Sequence, residues 1–444
     1  FWSLSGFILQ IVQRMKNTYL KDTNMFVLRQ INNKINTMVA SMSVICLMLF
    51  MTISILSSSL ALRNTMQREL VEMTPVDLNL YKTANLPESY MKYGKEVKTT
   101  EAQRADSRIT IQETLKNNGL DLTLLKDVIE IPIYATNDLT MGDFLKNKLQ
   151  SIKLEFPMLA FETAEEIVKI SDYNKIASLY GIEQYELKEN EYIVLCDFDG
   201  IGTIRDRVLA DENILEIAGK EYKSKYNECK SGFIMMSTSH MNTGIILVPD
   251  SCNLTDDMKE KQFLVANFNA NTDEEKQEIE EIFRSNDSVL IQNLNENGLE
   301  IDGMTKISII ESSVGVATIV TFIAIYLGII FLIASSAILA LKQLTESSDN
   351  KQRYTILRKI GCDEKMINKS LFRQIAIFFG VPLILAIIHS VFGIQFAIEL
   401  MSGLASKEDL LPSAVATIII IGIIYGAYFM ATYFGSKNII KEEK

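Results

Sequence analysis

The stretch SSVGVATIVTFIAIYLGIIFLIASSAILAL, residues 312–341, holds no charged side chain. A helix needs about 20 apolar residues to cross the hydrocarbon core of a bilayer, and soluble cores rarely supply so long a run. Residues 38–60 and 413–434 are likewise uncharged, and residues 370–400 carry only Arg373 and Glu399 near their ends. They predict four transmembrane helices. Residues 1–12 read as the tail of a fifth crossing. The chain opens on Phe1 and reads as the later part of a longer protein.

Basic residues orient the crossings, because Lys and Arg stay on the cytoplasmic side. Arg14, Lys16, Lys21, Arg29 and Lys34 precede the first crossing. Lys342, Lys351, Arg353, Arg358, Lys359, Lys365, Lys369 and Arg373 lie between the second and third, and Lys437, Lys441 and Lys444 follow the fourth. The loop between the third and fourth has only Lys407. Residues 342–369 and the tail 435–444 are therefore expected in the cytoplasm, and residues 61–309 outside. The outer insert carries 27 Lys and Arg against 44 Asp and Glu, a net −17, which leaves +6 for the rest of the chain. Such a face repels nucleic acid and anionic lipid and attracts cations.

The insert reads as an α+β domain between two stalk helices. The stalk stripes are Leu62, Met66, Leu70, Met73 and Met304, Ile307, Ile310, Val314, with Pro75 ending the first. Expected strands are DVIEIPIYA, EYIVLCDF, GFIMMST, GIILVP, FLVANFN and SVLIQNL. Expected helices are RITIQETLKNN, MGDFLKNKLQS, DYNKIASLYG and TDEEKQEIEEIFRS. The acidic runs TDDMKEKQ and TDEEKQEIEE suit either the steering of a cationic peptide or an ordinary solvated surface. Three cysteines, Cys196, Cys229 and Cys252, allow one bridge, Cys229–Cys252, or none. Before the first crossing, Phe26, Val27, Gln30, Ile31 and Ile35 share a face, as an interfacial helix or a plain extension of the crossing.

IVLCDFDGIGT, residues 193–203, looks like the start of a haloacid-dehalogenase-type phosphatase, but the spacing fails. That motif is Asp-x-Asp-Gly-Thr, whereas Ile201 and Gly202 separate Gly200 from Thr203. A strand closing in a glycine turn is the expectation, with no catalytic residue and no metal site.

The segment KQLTESSDNKQRYTILRKIGCDEKMINKSLFRQIAIFF, starting at Lys342, reads as a helix stopped by Gly361 and a second helix capped near Asp363. Leu357 and Ile360 lie among Arg353, Arg358 and Lys359, a short amphipathic knuckle suited to docking in a partner's groove. RYTILRKIGCDEKMINKSLFRQIAIFFGVPLILAIIHSVF resembles the last part of FtsX-like ABC-transporter permeases, and more narrowly the bacitracin-resistance, BceB-like type. The resemblance covers the membrane half and leaves the outer domain unmatched. It implies a polytopic α-helical membrane protein of the plasma membrane of a Gram-positive-type cell. It further implies two separate ATPase subunits that carry ATP and magnesium, with Tyr354, Leu357, Arg358, Lys359, Ile360 and Gly361 as the coupling segment. Resistance to peptides that attack cell-wall lipid intermediates would follow, beside a membrane histidine kinase. Alternatives sharing the membrane half are a mechanotransmission scaffold for an outer cell-wall hydrolase, lipoprotein or lipid extrusion, and a receptor module. The chain has no G-x-x-x-x-G-K-[ST] loop, so ATP would bind elsewhere. His389 is an intramembrane polar candidate, and Gly422 with Gly426 a candidate packing motif.

Overall fold

The computed structural model describes residues 23–92, 95–136, 138–211, 214–400 and 409–441. The fifth-crossing reading of residues 1–12, Lys407 and the last tail residues 442–444 lie outside these. The chain divides into two compact units. One is Phe1–Thr65 with Val316–Lys444, and the other is Met66–Gly315.

The first unit is helical. Among the described residues, four helices are long and apolar enough to cross a membrane. They are α1 Asn24–Glu72, α10 Lys306–Asp349, α12 Glu364–Leu400 and α13 Leu410–Ile440, with the short α11 Lys351–Lys359 between α10 and α12. α1 runs uninterrupted from Asn24, and its Val27 and Gln30 are buried. Small residues bring helices together. A Cβ on Gly393 would sit 2.7 Å from Phe50 and Ser54 of α1, one on Gly328 2.7 Å from Leu56, and one on Gly435 2.9 Å from Leu344. Interhelical hydrogen bonds add to this: Ser57 donates to Thr417 at 3.0 Å and Thr65 to Asp409 at 2.8 Å. Without a hydrophobic drive between helices in lipid, close packing and such bonds hold a bundle.

The second unit is an α/β sheet domain. Nine strands form one sheet in the order β11-β1-β10-β4-β5-β9-β6-β8-β7. These are β1 Leu78–Thr83, β4 Leu125–Tyr134, β5 Glu166–Lys169, β6 Glu191–Leu195, β7 Ile214–Ile217, β8 Lys220–Ser224, β9 Ile245–Val248, β10 Lys259–Phe268 and β11 Asp302–Thr305. β2 Ser89–Lys92 and β3 Lys95–Lys98 pair separately. β5 with β9, and β6 with β8, are parallel. The central strands are buried on both faces. Ile193, Leu195, Ile245 and Leu247 point into one core with α6 Ile170–Tyr180, while Tyr192, Val194, Ile246 and Val248 point into another with α4 Met141–Leu145 and α7 Asp199–Leu209. That is why these strands read as unbroken apolar runs. α3 Ile111–Asn117, α8 Asp273–Arg284 and α9 Val289–Glu296 cover the far end around Leu78, Leu80 and Leu264.

Several expectations are corrected. SVLIQNL is the helix α9, because Ser288 accepts from the Ile291 N–H and caps it. GFIMMST is irregular: the Met236 N–H donates to the Asn79 side chain and the Ser237 N–H to the Met73 carbonyl. DGIGT opens α7 instead of forming a glycine turn. Met304 lies in β11, so the second stripe begins at Lys306. All five cysteines are free. Of the two alternatives for Cys229 and Cys252, the structure shows the unbridged one.

Candidate functional site

The segment linking α10 to α12 is a built knuckle. α10 breaks at Asn350, and α11 ends in two carbonyl caps. Gly361 N–H donates to Arg358 O at 3.0 Å, and Cys362 N–H donates to Leu357 O at 3.0 Å. This paired pattern needs a left-handed residue, which Gly361 supplies at φ +91°. Asp363 then accepts from the Lys365 N–H and starts α12.

α11 has two faces. Tyr354 is 1% exposed. Its ring meets Phe26 of α1 edge-on, with centroids 5.5 Å apart, and its hydroxyl donates to Gln374 of α12 at 3.0 Å. Burial pushes its phenol well above the usual range. Arg358 donates to the carbonyl of Ile440, at the end of α13, at 2.9 Å, and pairs with Glu364. Leu357 is half-buried against the same apolar cluster. The inner face therefore grips three membrane helices. The outer face presents Arg353, Ile356, Lys359 and Ile360, with the two isoleucines 58% and 71% exposed. Of the apolar pair read for docking, Ile360 faces out and Leu357 faces in. Ile356 was missed, although its four-residue spacing from Ile360 marks the common face.

Residues 326–444 match the family model for the FtsX-like permease C-terminal domain. The C-terminal part of this chain is an FtsX-like permease domain. Similar proteins include the bacitracin export permease protein BceB of Bacillus subtilis (strain 168), 43% identical over 76 residues, which is 17% of this chain and 12% of that protein. The ABC transporter permease protein YxdM of the same organism is 31% identical over 90 residues, 20% of this chain and 14% of that protein. The uncharacterized ABC transporter permease YvcS, also of that organism, is 22% identical over 437 residues, 97% of this chain and 60% of that protein. The chain thus spans less than two thirds of the length of these relatives.

Within the FtsX-like domain the other candidates part company. His389 is exposed, and its Nδ1 lies 2.7 Å from the carbonyl of Leu385 in its own helix. Gly422 and Gly426 meet nothing within 4 Å. They line an apolar cavity of about 540 Å³ with Phe379 and Tyr425, so they bring no described helices together. Tyr425 donates to the Phe379 carbonyl at 2.9 Å, beside the proline of α12, Pro382.

In the sheet domain, the phosphatase-like stretch serves as an anchor. Asp197, its side chain 3% exposed, accepts from the Asn242 N–H at 2.7 Å and sits 3.2 Å from His240 Nδ1. His240 Nε2 is 3.5 Å from Glu72. The hydrogen bond to Asp197 and the charges of Asp197 and Glu69 raise the imidazole pKa against the opposing effect of burial. Among the described residues, no group of three or more His, Cys, Asp or Glu side chains could hold a metal.

Proposed function

We propose that this chain acts as the permease subunit of an ABC transporter that protects a Gram-positive-type cell against cell-wall-active peptides. ATP-driven export or release of the peptide from its lipid target is the activity. The knuckle carries this reading: an exposed Ile356–Ile360 pair ringed by Arg353 and Lys359, on a helix whose other face holds α1, α12 and α13. A groove on a partner that seats the isoleucines would move all three helices together, because packed contacts transmit displacement. The partner is a pair of ATPase subunits that bind ATP and magnesium on their own residues. A membrane histidine kinase is a further partner.

The cargo reading is supported by relatives named as bacitracin export permeases and by the net −17 of residues 61–309, which suits a cationic peptide at an outer face. ATP-driven movement of the knuckle would pass through α1 and α10, both of which also contribute residues to the sheet domain.

The test is co-purification of the ATPase encoded with this chain. Ile356→Glu with Ile360→Glu is expected to abolish pull-down and peptide resistance while the permease remains folded in the membrane. Retained pull-down with full resistance would refute the coupling role.

A further inference from the structure

The acidic helix α8 holds six acidic residues and two basic ones, Lys276 and Arg284. The two basic residues fall on one stripe with Glu280, since positions four apart share a helix face. That stripe meets the heads of both stalks. Lys276 Nζ lies 2.9 and 3.1 Å from the two carboxylate oxygens of Asp77, in the turn between α1 and β1. Glu280 accepts from the hydroxyl of Thr305, the residue before α10. Arg284 Nη1 pairs with Glu311 Oε2 of α10 at 2.6 Å. The apolar side of α8 belongs to the sheet: Ile279, Ile282 and Phe283 join the core around Leu78 and Leu264. The Phe283 ring stacks on Phe268 of β10, with centroids 6.0 Å apart.

The groups so held fix where α10 begins. Thr305 Oγ1 accepts from the Ser308 N–H at 3.1 Å, which caps the helix, while its own hydrogen goes to Glu280. The Asp77 carbonyl accepts from the Lys306 N–H at 2.9 Å, and its carboxylate accepts from the Phe268 N–H at 3.0 Å. Stability does not account for the stripe. Half-exposed pairs such as Arg284–Glu311 contribute little. Glu280 is buried, and its Oε2 has no hydrogen-bond partner among the described residues, an arrangement that costs stability. What three polar contacts at four-residue intervals do supply is a fixed position of α8 against the start of α10.

We propose that Lys276, Glu280 and Arg284 are positioning residues that fasten α8, and through it the sheet, to α10, so that a displacement of α10 is carried into the outer domain. The inference rests on the coupling reading only for the source of that displacement. The fastening itself is independent of ATPase docking.

The test exchanges charges at the half-exposed pair in the full chain. Arg284→Glu sets like charges against Glu311 and Glu280, and Arg284→Glu with Glu311→Arg restores the attraction. Hydrogen exchange is measured on the purified chain in lipid nanodiscs, without ATPase or peptide. Amides 306–311 of Arg284→Glu are expected to exchange about threefold faster than in the wild type, and those of the double variant to return to the wild-type rate. In cells, Arg284→Glu is expected to lower peptide resistance about tenfold with ATPase pull-down retained, and the double variant to regain it. The melting temperature is expected to move by less than about 2 °C, so misfolding does not explain the loss. Unchanged exchange in Arg284→Glu, resistance that survives it, lost pull-down, or a loss that the double variant fails to restore would overturn the proposal. Failure of the coupling reading shows elsewhere, as retained pull-down in the Ile356 and Ile360 variant. A wild-type chain that confers no resistance would count against the peptide reading, and the exchange rates alone would then decide the fastening.

Discussion

At the residue scale, Asp197 shows what a motif-like stretch can conceal. Its neighbours were legible as an apolar strand, but its job was not, because its partners Asn242 and His240 are over 40 residues away in the chain. Asp197 pins an irregular segment to the end of β6. Hydrogen bonds to a charged group contribute about 1.5–3 kcal/mol. Asp197→Asn is therefore expected to destabilise the sheet domain by about that amount in thermal or denaturant unfolding of the full chain. A change below about 0.5 kcal/mol would remove the anchoring role.

His240 makes the same contact dependent on pH. Asp197 and Glu72 face it directly, Glu69 acts on it through its charge, and Lys306 lines the same pocket. Its folded pKa is raised, so the contribution is fully present below the ordinary histidine value of about 6.5. It is lost as pH rises through the higher folded value. Stability of the full chain is expected to fall across that window. In His240→Gln that part of the slope should disappear; an unchanged slope would show that other groups set it.

At the element scale, the four long helices were legible because lipid demands about 20 apolar residues in a row. The sheet domain was harder. GIILVP contains a strand whose four residues are all buried, whereas DVIEIPIYA carries Asp127 and Glu130 and is read as a strand from its alternating Ile129, Ile131 and Ile133. SVLIQNL is also rich in Val, Leu and Ile, but its first residue, Ser288, caps a helix, and local capping overrides its β-propensity. β7, β8 and β11 are short and charged, and they are strands through pairing rather than through pattern. The glycine pair singled out by spacing meets no helix, whereas Gly393 does, so motif spacing alone does not locate a contact. Gly393→Leu is expected to lower the melting temperature of the purified chain by several degrees, as Phe50 and Ser54 must be displaced. Gly422→Leu at its open site should change it by much less. Equal effects would contradict this assignment of packing.

At the scale of the whole molecule, an acidic sheet domain is inserted between two helices of a basic membrane bundle. The knuckle was legible as an amphipathic turn because Gly361 and Asp363 punctuate it, but not which apolar residue faces outward. Leu357 and Ile356 are adjacent, and only the packing of Tyr354 on Phe26 and Gln374 decides between them. In the proposed function, an ATPase drives the helices through the outer face of α11.

The direct test is site-specific photo-crosslinking in native membranes, with the photoreactive residue placed in turn at 356, 357 and 360. Crosslinks to the ATPase from 356 and 360, with none from 357, are the expected result. Crosslinks from 357 alone, or from none of the three while the ATPase still co-purifies, would contradict the account.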